Sequence, residues 1–433
     1  MAFVHCVSDE CAKSELDVFQ LSPTQTSIEK SYYVEVPPLT ALSESASLEF
    51  SIAGNDQYLD LNNTLLYLNC KINKNDGTNP AADARVALVN YLIASLFSQV
   101  DITVGDRLIS QSNNCYPYRA FIETVLNYGD ETLKTQFLAE LFYKDTPSQH
   151  EATALDGLNL GFNKRAAYLA RSHRVDLLGH IHADLFFQEK LLINGVEVKI
   201  KLARNKDAFC LMSNGDEFKD TILSASLFVK RVQVNPGVRL GHAEALMTSN
   251  AIYPVNRVQM KAFSIPTGSR VCNQENLFLG QLPKVVVLGF VDNAAFSGNF
   301  THNPFNFKHN NINFIALYLD GEQIPSKPLQ PDFANGHCVR EYFQLVETAD
   351  KRMKDKALLV DREEFAKGYS LFAFNLSPDM ESTGHYSLIK TGNLRAEIRF
   401  AELLQDTVNM IVYAVFDNII EINMRRQVIY DSS

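Results

Sequence analysis

Two histidines separated by one residue, His180 and His182, come nearest in this chain to a pattern that could do chemistry. In a β-strand, residues i and i+2 lie on the same face, so both imidazoles would be able to bind one metal ion. Glu189 follows and would add a carboxylate ligand. The alternative interpretation is that both histidines are polar residues on the outward face of a strand.

The histidine motif resembles the cupin signature, in which two histidines and a glutamate on jelly-roll strands bind a metal. Its spacing departs from that family, because the glycine stands too close to the first histidine and the glutamate follows the second too late. No second cupin motif is convincing around Pro236-Gly237 and His242. We therefore assign no catalytic, cofactor-binding or metal-ligating residue and no cofactor. A bicupin-type metal-dependent enzyme is kept as an alternative function.

Other catalytic and metal motifs do not occur. The sequence has no phosphate-binding Gly-rich loop ending in Gly-Lys-Ser/Thr, no Gly-x-Ser-x-Gly, no His-Glu-x-x-His and no paired Cys-x-x-Cys. The seven cysteines are odd in number and scattered, a pattern typical of reduced thiols. The other histidines are isolated. Nothing in the sequence assembles a catalytic site, so we predict that the protein is not an enzyme.

Charge and hydropathy exclude further classes. The 433 residues carry 40 Lys and Arg against 50 Asp and Glu, a net charge of −10, whereas nucleic-acid binding requires excess positive charge. We therefore expect no specific nucleic-acid recognition. Acidic residues interrupt the first twenty positions, which argues against a signal peptide, and no apolar run is long enough for a transmembrane segment. Synthesis in the cytoplasm is the expectation.

Strand patterns dominate the chain. Apolar residues alternate with polar ones over residues 66–72, 100–104, 196–202 and 394–400, which predicts strands with one buried face. Gly105-Asp106, Asn194-Gly195 and Asp320-Gly321 are two-residue turn signals and predict hairpins whose register they set. The sequence therefore predicts an all-β fold.

Helical patterns are few and lie in long insertions at about 112–170 and 326–368. A helical spacing of apolar residues from Tyr118 ends at Gly129, and Asp130 is placed to cap a second helix. A charged helix is predicted over residues 350–367, where Asp361 and Glu364 resemble a capping box.

The chain shows signs of an internal duplication. The turns at Gly105 and Asp320 lie 320 − 105 = 215 residues apart, about half the chain, and each hairpin follows an apolar strand and precedes a helix-bearing insertion. A turn-forming cluster at Asn235-Pro236-Gly237 would link the halves. We predict an N-terminal segment over residues 1–24 and two similar β domains over 25–236 and 237–433.

Six runs of sequence resemble the major capsid protein of Polinton/Maverick elements and adintoviruses. They share family order and together extend over nearly the whole chain. The first two are PTQTSIEK at 23–30 and FFQEKLLINGVEVKIKLARNKDAFCLM at 186–212. The others are NPFNFKHNNINFIALYLDGEQIPSKPLQPDF at 303–333, GYSLFAFNLSPD at 368–379, GNLRAEIRF at 392–400 and IVYAVFDNIIEI at 411–422.

The resemblance implies a tandem double jelly roll, with two eight-stranded antiparallel β-sandwiches and short helices in long inter-strand loops. It also implies a structural capsid protein that forms pseudo-hexameric homotrimeric capsomers in an icosahedral shell. Neighbouring capsomers and a single jelly-roll penton protein are the implied partners, and the virion capsid is the implied location. A carbohydrate-binding β-sandwich protein is the other alternative, since jelly rolls also form lectin domains.

One aromatic segment, Asn303-Pro304-Phe305-Asn306-Phe307, stands beside a turn. Its rings would pack between the two jelly rolls, at a contact between subunits, or in an ordinary core. Ordinary core packing is the simplest of these interpretations.

Overall fold

β-Strands make up most of the regular structure in the computed structural model of this chain. The structure describes residues 7, 11, 13–42, 47–81, 83–170, 173–352, 357–380 and 385–430. Within these ranges no helix is both long and apolar enough to cross a membrane.

The strands of the first half mostly alternate buried and less buried side chains, as the sequence predicts for strands with one core face. They are β1 (Ile28–Val36), β2 (Ser47–Ile52), β3 (Tyr58–Lys74), β4 (Val86–Leu88), β5 (Phe97–Val104), β6 (Arg107–Gln111), β7 (Val175–His180), β8 (Val198–Arg204), β9 (Leu211–Ser213) and β10 (Phe218–Val234).

The strands of the second half include more fully buried segments. They are β11 (Ala251–Ile265), β12 (Val271–Gln281), β13 (Val285–Asp292), β14 (Ile312–Leu319), β15 (Glu322–Leu329), β16 (Leu371–Asn375), β17 (Thr391–Phe400), β18 (Val408–Ile422) and β19 (Val428–Tyr430).

Each half forms a sandwich of two four-stranded antiparallel sheets. The first sandwich has the orders β1-β10-β3-β7 and β2-β8-β5-β6, and the second has β11-β18-β13-β16 and β12-β17-β14-β15. If the eight strands of each sandwich are counted along the chain, both follow the orders 1-8-3-6 and 2-7-4-5. This is a double jelly roll. Strands β4 and β9 form a separate pair, and β19 adds to the edge of β18.

The two hairpins that suggested a duplication occupy equivalent places. Gly105-Asp106 joins β5 to β6, with Val104 opposite Arg107, and Asp320-Gly321 joins β14 to β15, with Leu319 opposite Glu322. Each pair is the fourth and fifth strand of its sandwich. Both hairpin predictions are confirmed.

The third hairpin prediction is wrong. Asn194-Gly195 does form a turn, and Gly195 has a φ of 77°. The segments on its two sides do not pair with each other, because Leu192 bridges to Leu59 while β8 pairs with β2 and β5. The Gly195 N–H donates to the Asn55 carbonyl, so the turn is held by the loop between β2 and β3.

The helices lie mainly in the loops between strands. They are α1 (Leu92–Ser95), α2 (Tyr116–Asn127), α3 (Asp130–Leu133), α4 (Leu160–Leu169), α5 (Asp207–Cys210), α6 (Pro236–Ala245), α7 (Asn293–Ser297), α8 (Val339–Thr348) and α9 (Arg362–Phe365). The helix predicted before Gly129 is α2. Asp130 begins α3 as its first residue, and Gly129 takes the cap position.

The charged helix predicted over residues 350–367 is mostly wrong. Helix α8 lies earlier in the chain, and only α9 falls inside the predicted range, where Asp361 and Glu364 form the expected capping box. Residues 353–356 lie outside the described residues. Charge alone misplaced the helix, since Leu358, Leu359 and Val360 are buried without helical structure.

Candidate functional site

The predicted histidine pair does not share a strand face. Strand β7 ends at His180, whose side chain is exposed, and His182 lies beyond the strand end with 3% of its surface exposed. Glu189 is exposed. Among the residues that the structure describes, these three side chains do not form a cluster of metal-ligating atoms. The strand prediction fails because the chain turns after His180 and carries His182 into the protein interior.

His182 belongs to a buried network that we call the Arg119 cluster, which consists of Arg119, Glu123, His182, Asp184 and Tyr91. Its Nδ1 lies 2.6 Å from Glu123 Oε2, and its Nε2 lies 2.6 Å from the Tyr91 hydroxyl. Arg119 donates to Glu123 at 3.0 Å and to Asp184 at 2.7 Å. With both ring nitrogens engaged, His182 has no site left for a metal ion.

The Arg119 cluster also contacts the second sandwich. The Asp184 carboxylate accepts a hydrogen bond of 3.2 Å from the backbone N–H of Val258 in β11. Burial raises the pKa of Glu123, but Arg119 and His182 outweigh it and hold that pKa below its usual value. Burial dominates at Asp184, whose pKa is raised although Arg119 opposes the shift. The two carboxylates differ in their partners, because His182 favours the ionised form of Glu123 in addition to Arg119.

Gly179, the glycine of the histidine motif, has a packing role. The Glu140 carboxyl lies directly over it, and a Cβ at position 179 would stand 2.5 Å from Glu140 Cδ. Burial raises the pKa of Glu140 to about 8, so this carboxyl is mostly protonated at neutral pH. The glycine of the motif is therefore explained by packing, because the protonated Glu140 side chain lies over the end of β7.

An aromatic cluster joins the two sandwiches. Phe305 and Phe307, from the segment singled out in the sequence, are 1% and 0% exposed. Phe121 of α2 stacks on Phe305 with ring centroids 4.5 Å apart, and Tyr118 meets both phenylalanines edge-on. The segment thus packs between the two jelly rolls, which is one of the three placements considered from the sequence. A Cβ at Gly289 would lie 2.6 Å from Phe307 Cδ1, so the ring fills the space that glycine leaves.

A second buried polar network, the Asp145 cluster, consists of Asp145, Arg165, Asn303, Tyr369 and His150. Arg165 donates to Asp145 at 2.6 Å, within the first half of the chain. From the second half, Asn303 donates to the other Asp145 carboxylate oxygen at 2.9 Å, and the Tyr369 hydroxyl donates to the Asp145 carbonyl at 2.7 Å. Burial opposes ionisation, yet Arg165 and these contacts keep the pKa of Asp145 lowered.

His150 differs from the rest of this cluster. It is 2% exposed, its ring lies 4.8 Å from that of Tyr369, and neither ring nitrogen has a hydrogen-bond partner within the described part of the chain. Burial lowers the pKa of His150 to about 4, against the attraction of Asp145 and Glu151. The imidazole is therefore neutral at pH 7.

Three other side chains approach a metal-binding arrangement. Ligand atoms of Glu151, Asp292 and His302 lie within 4.8 Å of one another. The Lys308 ammonium already pairs with both carboxylates, at 2.5 Å from Asp292 Oδ2 and 3.4 Å from Glu151 Oε1. Because Glu151 comes from the first half and Lys308 from the second, the arrangement is an ion pair across the junction.

These contacts define the junction between the two sandwiches as the candidate functional site. The charged groups of its two polar clusters are paired and buried, so the arrangement is suited to fixing two domains in one orientation. Sequence reasoning found the aromatic segment but missed both polar clusters. The i, i+4 pair of Arg119 and Glu123 on α2 was a local signal, whereas Asp145 and Asn303 are 158 residues apart and left none.

Known proteins share this architecture. No protein-family model matches the sequence. An uncharacterized protein of Caenorhabditis elegans is 27% identical over 424 residues, which cover 94% of this chain and 99% of that protein. A chain of the Sputnik virophage structure superposes with a TM-score of 0.69 at 12% identity, covering 100% of this chain and 95% of its own.

Two solved major capsid proteins are also similar. The mavirus major capsid protein has a TM-score of 0.57 at 10% identity, and the superposition covers 100% of this chain and 97% of the mavirus protein. The Faustovirus major capsid protein has a TM-score of 0.57 at 9% identity, with 95% of this chain and 92% of that chain covered. The chain therefore has the double jelly-roll fold of these viral capsid proteins over its whole described length.

Proposed function

We propose that this chain is a structural major capsid protein, and that three copies form a pseudo-hexameric capsomer of an icosahedral shell. The observation that carries the proposal is the repeated strand order, 1-8-3-6 and 2-7-4-5, in two sandwiches joined by a buried junction. Three copies with two similar sandwiches each present six similar wedges, so a trimer imitates a hexagon and tiles a facet. A closed threefold ring satisfies the contacts between subunits.

The junction supports this role physically. Two sandwiches joined by a flexible linker would splay and would not present fixed wedges. Here Asp184 and Val258, Asp145 and Asn303, and the stacked Phe121 and Phe305 join them through buried contacts. Such contacts are costly to break, because each leaves a buried polar group without a partner or opens a cavity.

We further propose that the first domain extends over residues 25–236 and the second over 237–433, with residues 1–24 as a separate segment. Neighbouring capsomers and a single jelly-roll penton protein would be the partners, and the virion capsid would be the location. The domain boundary follows the internal duplication and the turn-forming cluster at Asn235-Pro236-Gly237. The partners and the location follow the resemblance to the Polinton/Maverick and adintovirus capsid proteins, together with the fold shared with solved capsid proteins.

Light scattering during size-exclusion chromatography tests the proposal. A homotrimer of the full chain has a mass of about 146 kDa, three times 48.7 kDa. Negative-stain images of that peak are expected to show pseudo-hexagonal particles. A monomer that persists across a range of salt concentration and pH, without such particles, would refute the capsomer.

The two alternatives have little support among the described residues. The cupin-like enzyme depended on His180, His182 and Glu189, which the structure separates. Metal analysis of purified protein tests it, because that enzyme requires stoichiometric metal. The carbohydrate-binding alternative depends on fold analogy, and fold does not fix function. Binding on a glycan array would favour it.

A further inference from the structure

An apolar groove of about 490 Å³ lies where the first sandwich passes into the second. Its walls come from the beginning of β1, the end of β10, helix α6 and the beginning of β11. We call it the α6 groove, and its apolar lining includes Ile28, Val234, Val238, Leu246 and Ile252. Its volume is within the range of pockets that bind a few large side chains or a small ligand.

The surface around the groove is apolar and exposed. Helix α6 has no buried residue between Pro236 and Ala245. Leu240 is 62% exposed, Met247 72% and Ile252 49%. A cluster of exposed apolar side chains next to an open cavity is typical of a binding surface.

The charge of the lining restricts what the groove would bind. Lys190 and His242 line it, and none of the aspartates and glutamates that the structure describes does. The Tyr58 hydroxyl lies 2.8 Å from His242 Nδ1, which fixes the imidazole at the wall. An occupant with apolar side chains and nearby carboxylates fits this lining.

The N-terminal segment of the chain has that composition. Residues 13–24 are all exposed. Phe19 and Leu21 are both 96% exposed, and Leu16 and Val18 are more than 70% exposed. Glu15 and Asp17 stand among them. The segment ends beside the groove, because Ser27 and Ile28 belong to the groove lining.

We propose that residues 15–21 of one copy bind the α6 groove of a neighbouring copy, an inference that assumes the assembly described under the proposed function. A segment tethered at the groove has a millimolar effective concentration there, so a tether that let it reach its own groove would keep it bound. In the single chain the groove is open and the segment is exposed. The six residues between Leu21 and Ile28 therefore hold the segment away from its own groove, whereas the segment of a neighbouring copy has no such tether.

A peptide of residues 13–24 with a fluorescent label tests the groove without depending on assembly. The receptor is the full chain carrying Phe19→Ser and Leu21→Ser, which disables its own segment. Saturable binding is expected, and Phe19→Ser in the peptide weakens it at least tenfold because a large apolar contact is lost. In the receptor, Ala245→Trp fills the groove and abolishes binding. Glu244→Trp, the neighbouring change outside the groove lining, leaves it intact.

Disulfide trapping tests whether the contact is between copies. In a full chain with Cys6→Ser and Cys11→Ser, one preparation carries Gln20→Cys, which keeps the apolar side chains of Phe19 and Leu21, and a second, of different tag length, carries Val238→Cys. Oxidation of the mixture is expected to give a cross-linked heterodimer. Leu158→Cys, which is 72% exposed outside the groove, replaces Val238→Cys as the control and gives none.

The outcomes separate this inference from the capsomer. Trimers that form while the peptide fails to bind overturn the inference and leave the proposed function standing. Peptide binding by a protein that stays monomeric supports the groove and refutes the capsomer. When both cysteines are in one chain, a cross-link only within that chain overturns the contact between copies. A copurified lipid in the groove, with no peptide binding, overturns the inference in favour of a lipid ligand.

Discussion

The Arg119 cluster and the Asp145 cluster both bury charged groups at the junction, but their histidines differ in hydrogen bonding. His182 has a partner on each ring nitrogen, whereas His150 has a partner on neither. Both are almost fully buried, at 3% and 2% exposure. Burial alone therefore does not decide what a histidine does at this junction, and the hydrogen-bond partners do.

The comparison shows how one junction combines two responses to pH. In the Arg119 cluster, burial raises the pKa of Glu123, but Arg119 and His182 favour the ionised carboxylate and lower that pKa overall. In the Asp145 cluster, His150 is kept neutral by burial, with Asp145 and Glu151 attracting its proton and Lys144 and Arg165 repelling it. We expect the first cluster to hold the sandwiches together over a wide pH range and the second to weaken in acid.

The largest effect is expected from Arg119→Met. The change leaves Glu123 and Asp184 buried without their cation, and breaking a buried ion pair in this way costs about 3–5 kcal/mol. The free energy of unfolding from urea denaturation measures it. Lys134→Met is the control, because Lys134 pairs with Glu131 on the surface. It is expected to change stability little, and an equal loss in both variants would contradict the assignment.

A pH-dependent effect is expected from His150. Its folded pKa of about 4 lies below the ordinary 6.5, so the unfolded chain takes up the proton first as the pH falls. Stability is therefore full above pH 6.5 and decreases between pH 6.5 and 4, by up to about 3 kcal/mol from this residue. His150→Leu is expected to be as stable as the wild type at pH 7 and to lose less in acid.

Denaturation curves at pH 7.5 and pH 4.5 measure this difference. His337→Gln, at an exposed position, is the control and should keep the acid sensitivity of the wild type. A strong loss of stability in His150→Leu at pH 7.5 would contradict the assignment of a neutral imidazole without a hydrogen-bond partner.

A smaller effect is expected at the aromatic cluster that lies between the two polar networks. Gly289→Ala places a methyl group 2.6 Å from the Phe307 ring, and overpacking of a core costs about 1–3 kcal/mol. The ring is also stacked on Phe121, which limits its escape. Gly241→Ala is the control because its Cβ would meet nothing. Equal unfolding free energies for both variants would show that the ring moves aside.

The smallest effect is expected from Lys308→Met. Lys308 is about a third exposed and pairs with Asp292 and Glu151 at the edge of the junction, where an ion pair contributes about 1 kcal/mol or less. Added salt should reduce the difference from the wild type, because screening weakens exposed pairs. A loss as large as that of Arg119→Met would place this pair among the essential junction contacts.

The sequence by itself determined the all-β class and the duplication. Alternating residues such as Leu66 and Leu68 fix which strand face is buried, and the turns at Gly105 and Asp320 require backbone conformations that few residues adopt. Both signals are local, and a local pattern is readable without knowledge of the partner strand. The six family-like runs added the double jelly roll.

Only the tertiary structure decided what the polar residues do. His180 and His182 are two residues apart, yet one is exposed and the other is buried, because the strand ends between them. Asp145 accepts a hydrogen bond from Asn303, which is 158 residues away in the sequence, and no periodic pattern predicts that contact. Hydrogen bonds and ion pairs across a junction depend on where two domains dock, and docking is a property of the assembled surfaces rather than of any one segment.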